Sequence, residues 1–309
     1  MTRLRTSLQD YLKMRRGLGF ELRKAGVGLH DFVAFMERKR ASRITTKLAI
    51  EWAEKPKTVL PSEWARRLSF VRGFARYQSA IDPRTEIPPD GLLPYRPQRA
   101  RPYIYTDQEI ERLLAAARSL SPAGGHHSWN YYCLLGLLSV TGLRLGEALN
   151  LKLDDIDLRN NVLTIEKAKF GKSRFVPIHP STRKVLVNYL RRRRRFLENA
   201  SPYLFTSSTG KRLDKGGVHR TFYVLSRQIG LRGPTASCGP RLHDFRHRFA
   251  VRTLLNWYRR GLEIEPRLPT LSTYLGHVHV SDTYWYLTAF PELMGQAVKR
   301  LENHWEGAR

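Results

Sequence analysis

The first ninety residues carry apolar side chains at helical spacing. In the segment from Pro61 to Tyr77 these side chains recur every three or four positions: Trp64, Leu68, Val71 and Phe74. This period predicts an amphipathic helix. Residues 30–40 show a similar pattern and end on three basic residues, which suits the C-terminus of a helix. We therefore predict a small helical domain over residues 1–90.

Prolines interrupt the helical pattern between Gly91 and Tyr105. Pro94, Pro97 and Pro102 stand among arginines there, and proline disfavours helix both at its own position and at the residue before it. We predict an extended linker over residues 91–105. Thr106 then stands three residues before Glu109 and ahead of an apolar run, the pattern of a capping box. A second domain is predicted to begin there and to extend over residues 106–309.

The second domain is predicted to be mostly helical, with one β signal. Asn161–Ile165 and Phe175–Ile178 are β-prone runs on either side of a turn-like segment, residues 169–172. The predicted fold is therefore mainly α with a small β-hairpin or sheet. The run Arg191–Arg195 follows apolar residues and continues a predicted helix, either as a solvated face or as a DNA contact.

The charge of the chain points to a polyanionic partner. The 309 residues include 54 Lys and Arg against 27 Asp and Glu, a formal net charge of +27 that repels itself unless it is neutralised. Double-stranded DNA is the expected partner. Four arginines interleaved with the apolar positions of the Pro61–Tyr77 helix are candidate DNA contacts: Arg66, Arg67, Arg72 and Arg76.

Other function classes find little support in the sequence. The chain has no run of about 18 apolar residues that could span a bilayer, so a membrane partner is not expected. The N-terminus lacks the apolar stretch and cleavage site of a secretory signal, which favours a cytoplasmic location. Cys133 and Cys238 lie far apart and outside any metal-binding pattern, which supports neither a disulfide framework nor a zinc ribbon.

Five separated motifs carry candidate chemistry. They are Thr141–Glu147 (TGLRLGE), Lys169, His243–Arg246 (HDFR), Leu275–His277 (LGH) and Tyr286. In this order and spacing, the set resembles the signature of the tyrosine recombinases, also called the phage integrase family. The resemblance covers about the last two hundred residues. It implies a two-domain architecture, in which a core-binding domain and a catalytic domain close around duplex DNA.

Elementary chemistry supports the same interpretation. Breaking a DNA backbone bond by transesterification requires a nucleophile, cationic donors for the phosphate oxygens, a base and an acid for the leaving group. Arg144 and Arg246 offer forked, permanently charged donors that match a phosphate. A single arginine is more often a surface phosphate contact or a structural ion pair, but two within these motifs favour a catalytic role.

The resemblance assigns roles to the remaining positions. It implies that Lys169 protonates the departing 5′ oxygen, with Lys172 as a rival in the same turn. It implies that His243 binds phosphate and assists proton transfer, and that His277 hydrogen-bonds the scissile phosphate. Glu147, one helical turn after Arg144, is expected to orient either the arginine or the histidine rather than to react. Lys172 and Arg174 are further candidate DNA contacts.

Tyr286 is the predicted nucleophile because it lies nine positions after His277, the spacing found in the family. A phenol has a pKa of about 10, so it must be activated at neutral pH. Tyr284 and Tyr274 are competing phenols. The resemblance implies a 3′-phosphotyrosyl intermediate that needs neither ATP nor a metal.

His243 and His247 form an i, i+4 pair, but no third ligand is evident, so no metal site is predicted.

Two alternatives remain open from the sequence. The first is DNA relaxation by a type IB topoisomerase, and the second is a non-catalytic DNA-binding accessory protein. The amphipathic segment Phe290–His304 argues mildly against the topoisomerase. It either docks on a neighbouring protomer or packs on its own domain. We expect a homotetramer on DNA or an assembly with sister recombinases, in the service of a mobile element, and the target sequence is not predicted.

Overall fold

The computed structural model describes residues 3–94, 102–166, 173–196 and 201–306. The chain divides into two compact units, Met1–Ala100 and Arg101–Arg309. The predicted domain limits at residues 90 and 106 stay predictions. Among the described residues, no helix has the length and apolar character needed to cross a membrane.

Unit 1 is helical throughout its regular elements. Its helices are Arg3–Gly17 (α1), Arg23–Arg38 (α2), Thr46–Ala53 (α3) and Pro61–Ser79 (α4). Helix α4 confirms the helix predicted from Pro61. Proline is tolerated at this first position, because the backbone N–H that it lacks would have no partner within the helix. Helix α2 begins at Arg23 rather than at His30, and Leu29 within the added turns is buried in the core of this unit.

Unit 2 is mainly helical with one small sheet. Its helices are Asp107–Arg118 (α5), His126–Thr141 (α6), Leu145–Asn150 (α7), Pro180–Phe196 (α8), Lys215–Gln228 (α9), Asp244–Arg259 (α10), Leu268–Leu275 (α11), Ser281–Ala289 (α12) and Pro291–Glu306 (α13). The Thr106 side chain accepts from the Glu109 amide, and the Glu109 carboxylate accepts from the Thr106 amide. This confirms the predicted capping box at the start of α5.

The sheet contains three antiparallel strands in the order β1-β2-β3. The strands are Ile156–Asp157 (β1), Val162–Ile165 (β2) and Arg174–Pro177 (β3). Leu163 pairs with Val176 across β2 and β3, and both side chains are buried in the core of unit 2. The two predicted strands and their pairing are confirmed, and the predicted turn at residues 169–172 lies outside the described residues. Strand β1 was not predicted, because two residues carry no readable alternation.

Helix α8 ends in the arginine run that the sequence placed on a solvated face or against DNA. Arg193 does neither in this structure, because it is buried and donates to the carbonyl oxygens of Ser201 and Tyr203. Arg192 stacks over the ring of Trp129 at 4.2 Å. These two members of the run therefore stabilise unit 2 itself.

Candidate active site

A left-handed glycine ends α6 and directs the chain towards the first candidate residue. Gly142 has φ 62°, a conformation that glycine adopts without strain. A Cβ at this position would lie 2.8 Å from the Phe249 ring, so no larger residue fits without a shift. Arg144 follows as the N-cap residue of α7. The TGLRLGE motif thus combines a tight turn with an arginine at a helix start.

Arg144 is held by one carboxylate and one carbonyl. Its Nη1 donates to Glu147 Oε1 at 2.8 Å, and its Nη2 donates to the Gly276 carbonyl oxygen at 2.9 Å. The Arg144 amide also donates to Glu147 Oε2 at 2.9 Å. The Arg144 side chain remains 26% exposed, so part of its guanidinium can still meet a ligand.

Glu147 is shared by a second arginine from the sheet. Arg174 Nη1 and Nη2 donate to the two carboxylate oxygens at 3.1 and 2.9 Å, and Arg174 Nε donates to the Tyr274 carbonyl oxygen at 2.8 Å. Burial alone would raise the pKa of Glu147, but the hydrogen bonds and charges of Arg174 and Arg144 outweigh it and lower the pKa to about 2. Glu147 is therefore a carboxylate at neutral pH.

Arg246 is the deepest cation of the site. It is 1% exposed, and it donates to the carbonyl oxygens of Gly142 at 3.1 Å and Leu275 at 2.6 Å. Burial, and then the positive charge of Arg144, lower its pKa to about 10, while Tyr286 and Glu147 act in the opposite direction. Arg246 remains a cation at neutral pH.

Two histidines of α10 lie beside Arg246. His243 is the N-cap residue, and its ring meets that of His247 at 4.8 Å and 88°. Burial of the ring and the charges of Arg246, Arg144 and Arg241 lower the pKa of His243 to about 4, against the effect of Asp244. His243 is therefore a neutral imidazole at pH 7. It nevertheless keeps an exposed surface.

Tyr286 lies in the same part of unit 2 and is 2% exposed. Its phenolic oxygen is 3.1 Å from Nδ1 of His247. The ring of His277 lies nearly parallel to it at 6.4 Å, and Nδ1 of His277 is 2.7 Å from the Thr283 hydroxyl. The phenol that the sequence singled out is thus hydrogen-bonded to a histidine one residue beyond Arg246.

The rival phenols are placed differently. Tyr284 is 47% exposed. The Tyr274 hydroxyl donates to the Pro177 carbonyl oxygen at 3.3 Å, and burial raises the pKa of Tyr274 to about 12. Tyr286 differs from both, because its hydroxyl is hydrogen-bonded to His247, the residue after Arg246 on α10.

The structure therefore brings most of the predicted catalytic set together. Arg144, Glu147, His243, Arg246 and Tyr286 are connected by direct contacts or by electrostatic effects on one another's pKa. His277 follows Gly276, whose carbonyl oxygen Arg144 binds. Lys169 and Lys172 lie outside the described residues. The catalytic roles of all these residues stay predictions.

Arg174 and the arginines of α4 meet partners within their own units. Arg174 is buried against Glu147 rather than presented on the surface, with 8% of its side chain exposed. Arg67 stacks over Trp52 at 3.8 Å, and Arg72 donates to the Pro88 and Pro89 carbonyl oxygens at 2.7 Å each. Arg76 is 62% exposed, and Arg66 pairs with Glu63. Their predicted DNA contacts remain untested.

His247 was not predicted as a functional residue. In the sequence it stands out only as half of a metal-like pair with His243. The available signal was the i, i+4 spacing, which places both imidazoles on one face of a helix. Within the described ranges of the chain, no cluster of three or more histidine, cysteine or acidic side chains could hold a metal ion.

Comparison with known proteins gives consistent matches. The model of the phage integrase family matches residues 104–292. Protein y4rB of Sinorhizobium fredii, named as an integrase/recombinase, is 59% identical over 311 residues, which cover 99% of both chains.

Two solved structures share the fold. The Tn1549 transposon integrase in complex with transposon right end DNA has a TM-score of 0.68 at 17% identity, covering 98% of this chain and 100% of that one. A lambda integrase tetramer bound to a Holliday junction has a TM-score of 0.59 at 20% identity, covering 89% and 77%.

Proposed function

Because this chain belongs to the phage integrase family, we propose that it is a site-specific DNA recombinase that cleaves and rejoins strands through Tyr286. The observation that carries the assignment of the site is the convergence of two arginines on one turn. Arg246 binds the Leu275 carbonyl oxygen and Arg144 binds that of Gly276, immediately before His277. The motifs that are far apart in sequence therefore meet at one place.

The electrostatics of this site suit a phosphodiester. Arg246 remains a cation at neutral pH, and the positive charge of Arg144 contributes, after burial, to its lowered pKa. A phosphate between the two guanidinium groups would relieve their repulsion and accept charge-assisted hydrogen bonds. The same donors would stabilise the additional negative charge on the non-bridging oxygens in the transition state.

The proposed reaction has two balanced steps. The Tyr286 oxygen bonds to the phosphorus while the bond to the 5′ oxygen breaks, which leaves a 3′-phosphotyrosyl link and a 5′-hydroxyl. A 5′-hydroxyl of a partner strand then attacks the link and releases the tyrosine. Since the phosphotyrosyl bond retains the energy of the broken bond, the chemistry itself requires no ATP, and the two guanidinium groups supply positive charge that a metal ion could otherwise provide.

The comparisons favour recombination over the two alternatives. The relative and the two structural neighbours are named integrases or recombinases. None of these three is named a topoisomerase or an accessory protein. The neighbours are complexes with DNA, and one is a tetramer on a Holliday junction. We propose that this chain likewise binds double-stranded DNA and assembles as a homotetramer on it.

Covalent capture in cells tests this function and does not require the target sequence. A tagged wild-type protein is expressed in its host, purified under denaturing conditions, and the DNA that stays attached is sequenced. We expect enriched fragments that share one sequence. Tyr286→Phe should recover none, because it lacks the nucleophilic hydroxyl, whereas the control Tyr284→Phe should match the wild type.

The recovered sequence then serves as a nicked suicide substrate in vitro. Wild type should form the adduct equally well with and without EDTA. An adduct that survives in Tyr286→Phe would move the role to another phenol, and loss of wild-type cleavage in EDTA would require a metal.

A further inference from the structure

The Tyr286 phenol lies against His247, one position beyond the HDFR motif. The distance between the phenolic oxygen and Nδ1 is 3.1 Å, within hydrogen-bonding range. The two rings lie 5.6 Å apart at 60°. When the phenol donates, Nδ1 is the acceptor and the imidazole carries its proton on Nε2. A neutral histidine in this arrangement can receive the phenolic proton directly.

Neighbouring side chains hold the His247 ring in this position. It packs edge-on against Trp285 at 5.6 Å and against His243 at 4.8 Å. His247 follows the buried Arg246 on α10, and Arg246 is tied to Gly142 and Leu275. The imidazole is therefore oriented by the same helix that places the deepest cation of the site.

The other candidate bases have different contacts. Both oxygens of Glu147 accept from arginines, and its pKa of about 2 makes it a poor proton acceptor. Nδ1 of His277 is 2.7 Å from the Thr283 hydroxyl. His243 is neutral at pH 7, but it keeps an exposed surface and its ring packs perpendicular to that of His247. Geometry alone thus favours the imidazole that already contacts the phenol.

We infer that His247 is a catalytic residue that accepts the proton of Tyr286 during strand cleavage and returns it during rejoining. The inference rests on the proposed function, since it presupposes Tyr286 as the nucleophile. In cleavage, the proton moves from the phenolic oxygen to Nδ1 as the oxygen–phosphorus bond forms. The 5′ oxygen leaves and takes a different proton from the acid, for which Lys169 is the predicted residue. In rejoining, the attacking 5′-hydroxyl bonds to the phosphorus and gives its proton back to the group that served as the acid, while the tyrosine oxygen leaves and recovers its proton from His247.

The experiment compares single-turnover adduct formation on the nicked substrate. His247→Asn keeps an amide oxygen that can accept the phenolic hydrogen bond but cannot take up the proton. General base catalysis typically contributes about 10²-fold or more, so we expect the rate to fall by about 10²-fold with DNA affinity nearly unchanged. His219→Asn is the matched control, because His219 is also a half-buried histidine on a helix near a tyrosine ring, Tyr223.

Two further measurements separate a chemical role from a structural one. Added imidazole should restore part of the rate of His247→Ala, since it can replace the missing base in the space left by the side chain. A substrate with sulfur in place of the scissile 5′ oxygen does not need a leaving-group acid, because a thiolate leaves without a proton. The His247→Asn defect should persist on this substrate, whereas a Lys169→Ala defect should be relieved.

Each outcome bears on one claim. Wild type without an adduct would contradict the proposed function as a whole. If the wild type forms the adduct and His247→Asn forms it at the same rate, only the role of His247 is overturned. Relief of the His247→Asn defect by the sulfur substrate would also overturn it, because the histidine would then serve the leaving group.

Discussion

Two arginines of α4 in unit 1 and the two candidate catalytic arginines of unit 2 all bind carbonyl oxygens, but over very different distances along the chain. In α4, Arg67 binds the Trp52 carbonyl and Arg72 binds that of Pro88, 15 and 16 positions away. In unit 2, Arg144 binds the Gly276 carbonyl across 132 positions, and Arg246 binds that of Gly142 across 104.

The difference separates two uses of the same side chain in a basic protein. The α4 arginines fasten a helix to the segments next to it in sequence. Arg144 and Arg246 close long loops and so fix distant motifs with respect to one another. Closing long loops costs chain entropy, which other contacts of the fold must offset. Arginines that hold distant motifs together indicate a built site, whereas a surface that is only basic does not need such contacts.

Replacement of Arg144 should give the largest difference in cleavage rate between the catalytic arginines and the arginines of α4. Arg144→Ala removes a transition-state donor, and loss of one such donor typically lowers a rate by about 10² to 10³-fold. We expect this decrease in single-turnover cleavage, with DNA affinity reduced far less. Arg72→Ala, which removes a comparably connected arginine of α4, is the matched variant and should leave the cleavage step of bound DNA intact. An Arg144→Ala defect confined to binding would contradict the assignment.

The shared carboxylate predicts an effect on stability that depends on pH. The pKa of Glu147 is lowered from its ordinary 4.5 to about 2, so its contribution is complete above 4.5 and disappears as the pH falls through 2. Such a shift corresponds to about 3 kcal/mol of unfolding free energy. We expect Glu147→Gln to lower the stability by roughly this amount at pH 7 and by much less at pH 2.5, measured by urea unfolding of the full chain.

Glu63→Gln supplies the control in unit 1. Glu63 pairs with Arg66 on the surface of α4, where such pairs contribute at most about 1 kcal/mol. A Glu147→Gln penalty that is no larger than that of Glu63→Gln, or that does not change with pH, would show that the buried cluster is no stronger than a surface pair.

The exposed arginine of α4 should give the smallest effect. Arg76 is 62% exposed, whereas 13% of the Arg72 side chain is exposed. If Arg76 contacts a DNA phosphate, Arg76→Ala should weaken binding several-fold and reduce the slope of log affinity against log salt by about 1. An unchanged slope would mean that Arg76 does not contribute to the DNA surface. Cleavage of bound DNA should not change in either case.

Features with local causes could be predicted from the sequence. Helix α4 follows from its apolar spacing, and the start of α5 follows from the capping box of Thr106 and Glu109. The motifs also indicated which residues would converge, because their order and spacing resembled a known family. Helix α4 and the start of α5 depend on local sequence alone, whereas the convergence of the motifs was predicted only from the family resemblance.

The missed features depend on tertiary partners. Arg174 was predicted only as a DNA contact, a role that stays a prediction, and its hydrogen bonds to Glu147 and to the Tyr274 carbonyl join positions 27 and 100 residues apart. His247 was dismissed with the metal pair, since its partner Tyr286 is 39 positions further along. Arg193 appeared to be one of five equivalent arginines, and only packing shows that it is buried.

The most direct test of the site is to locate the covalent bond. The adduct formed on the suicide substrate is digested with nuclease and protease, and mass spectrometry identifies the residue that carries the remaining nucleotide. We expect the nucleotide on Tyr286, joined through a 3′-phosphate. A nucleotide on Tyr284 or Tyr274, or a 5′-phosphate linkage, would contradict the central claim that this phenol faces the phosphate held by Arg144 and Arg246.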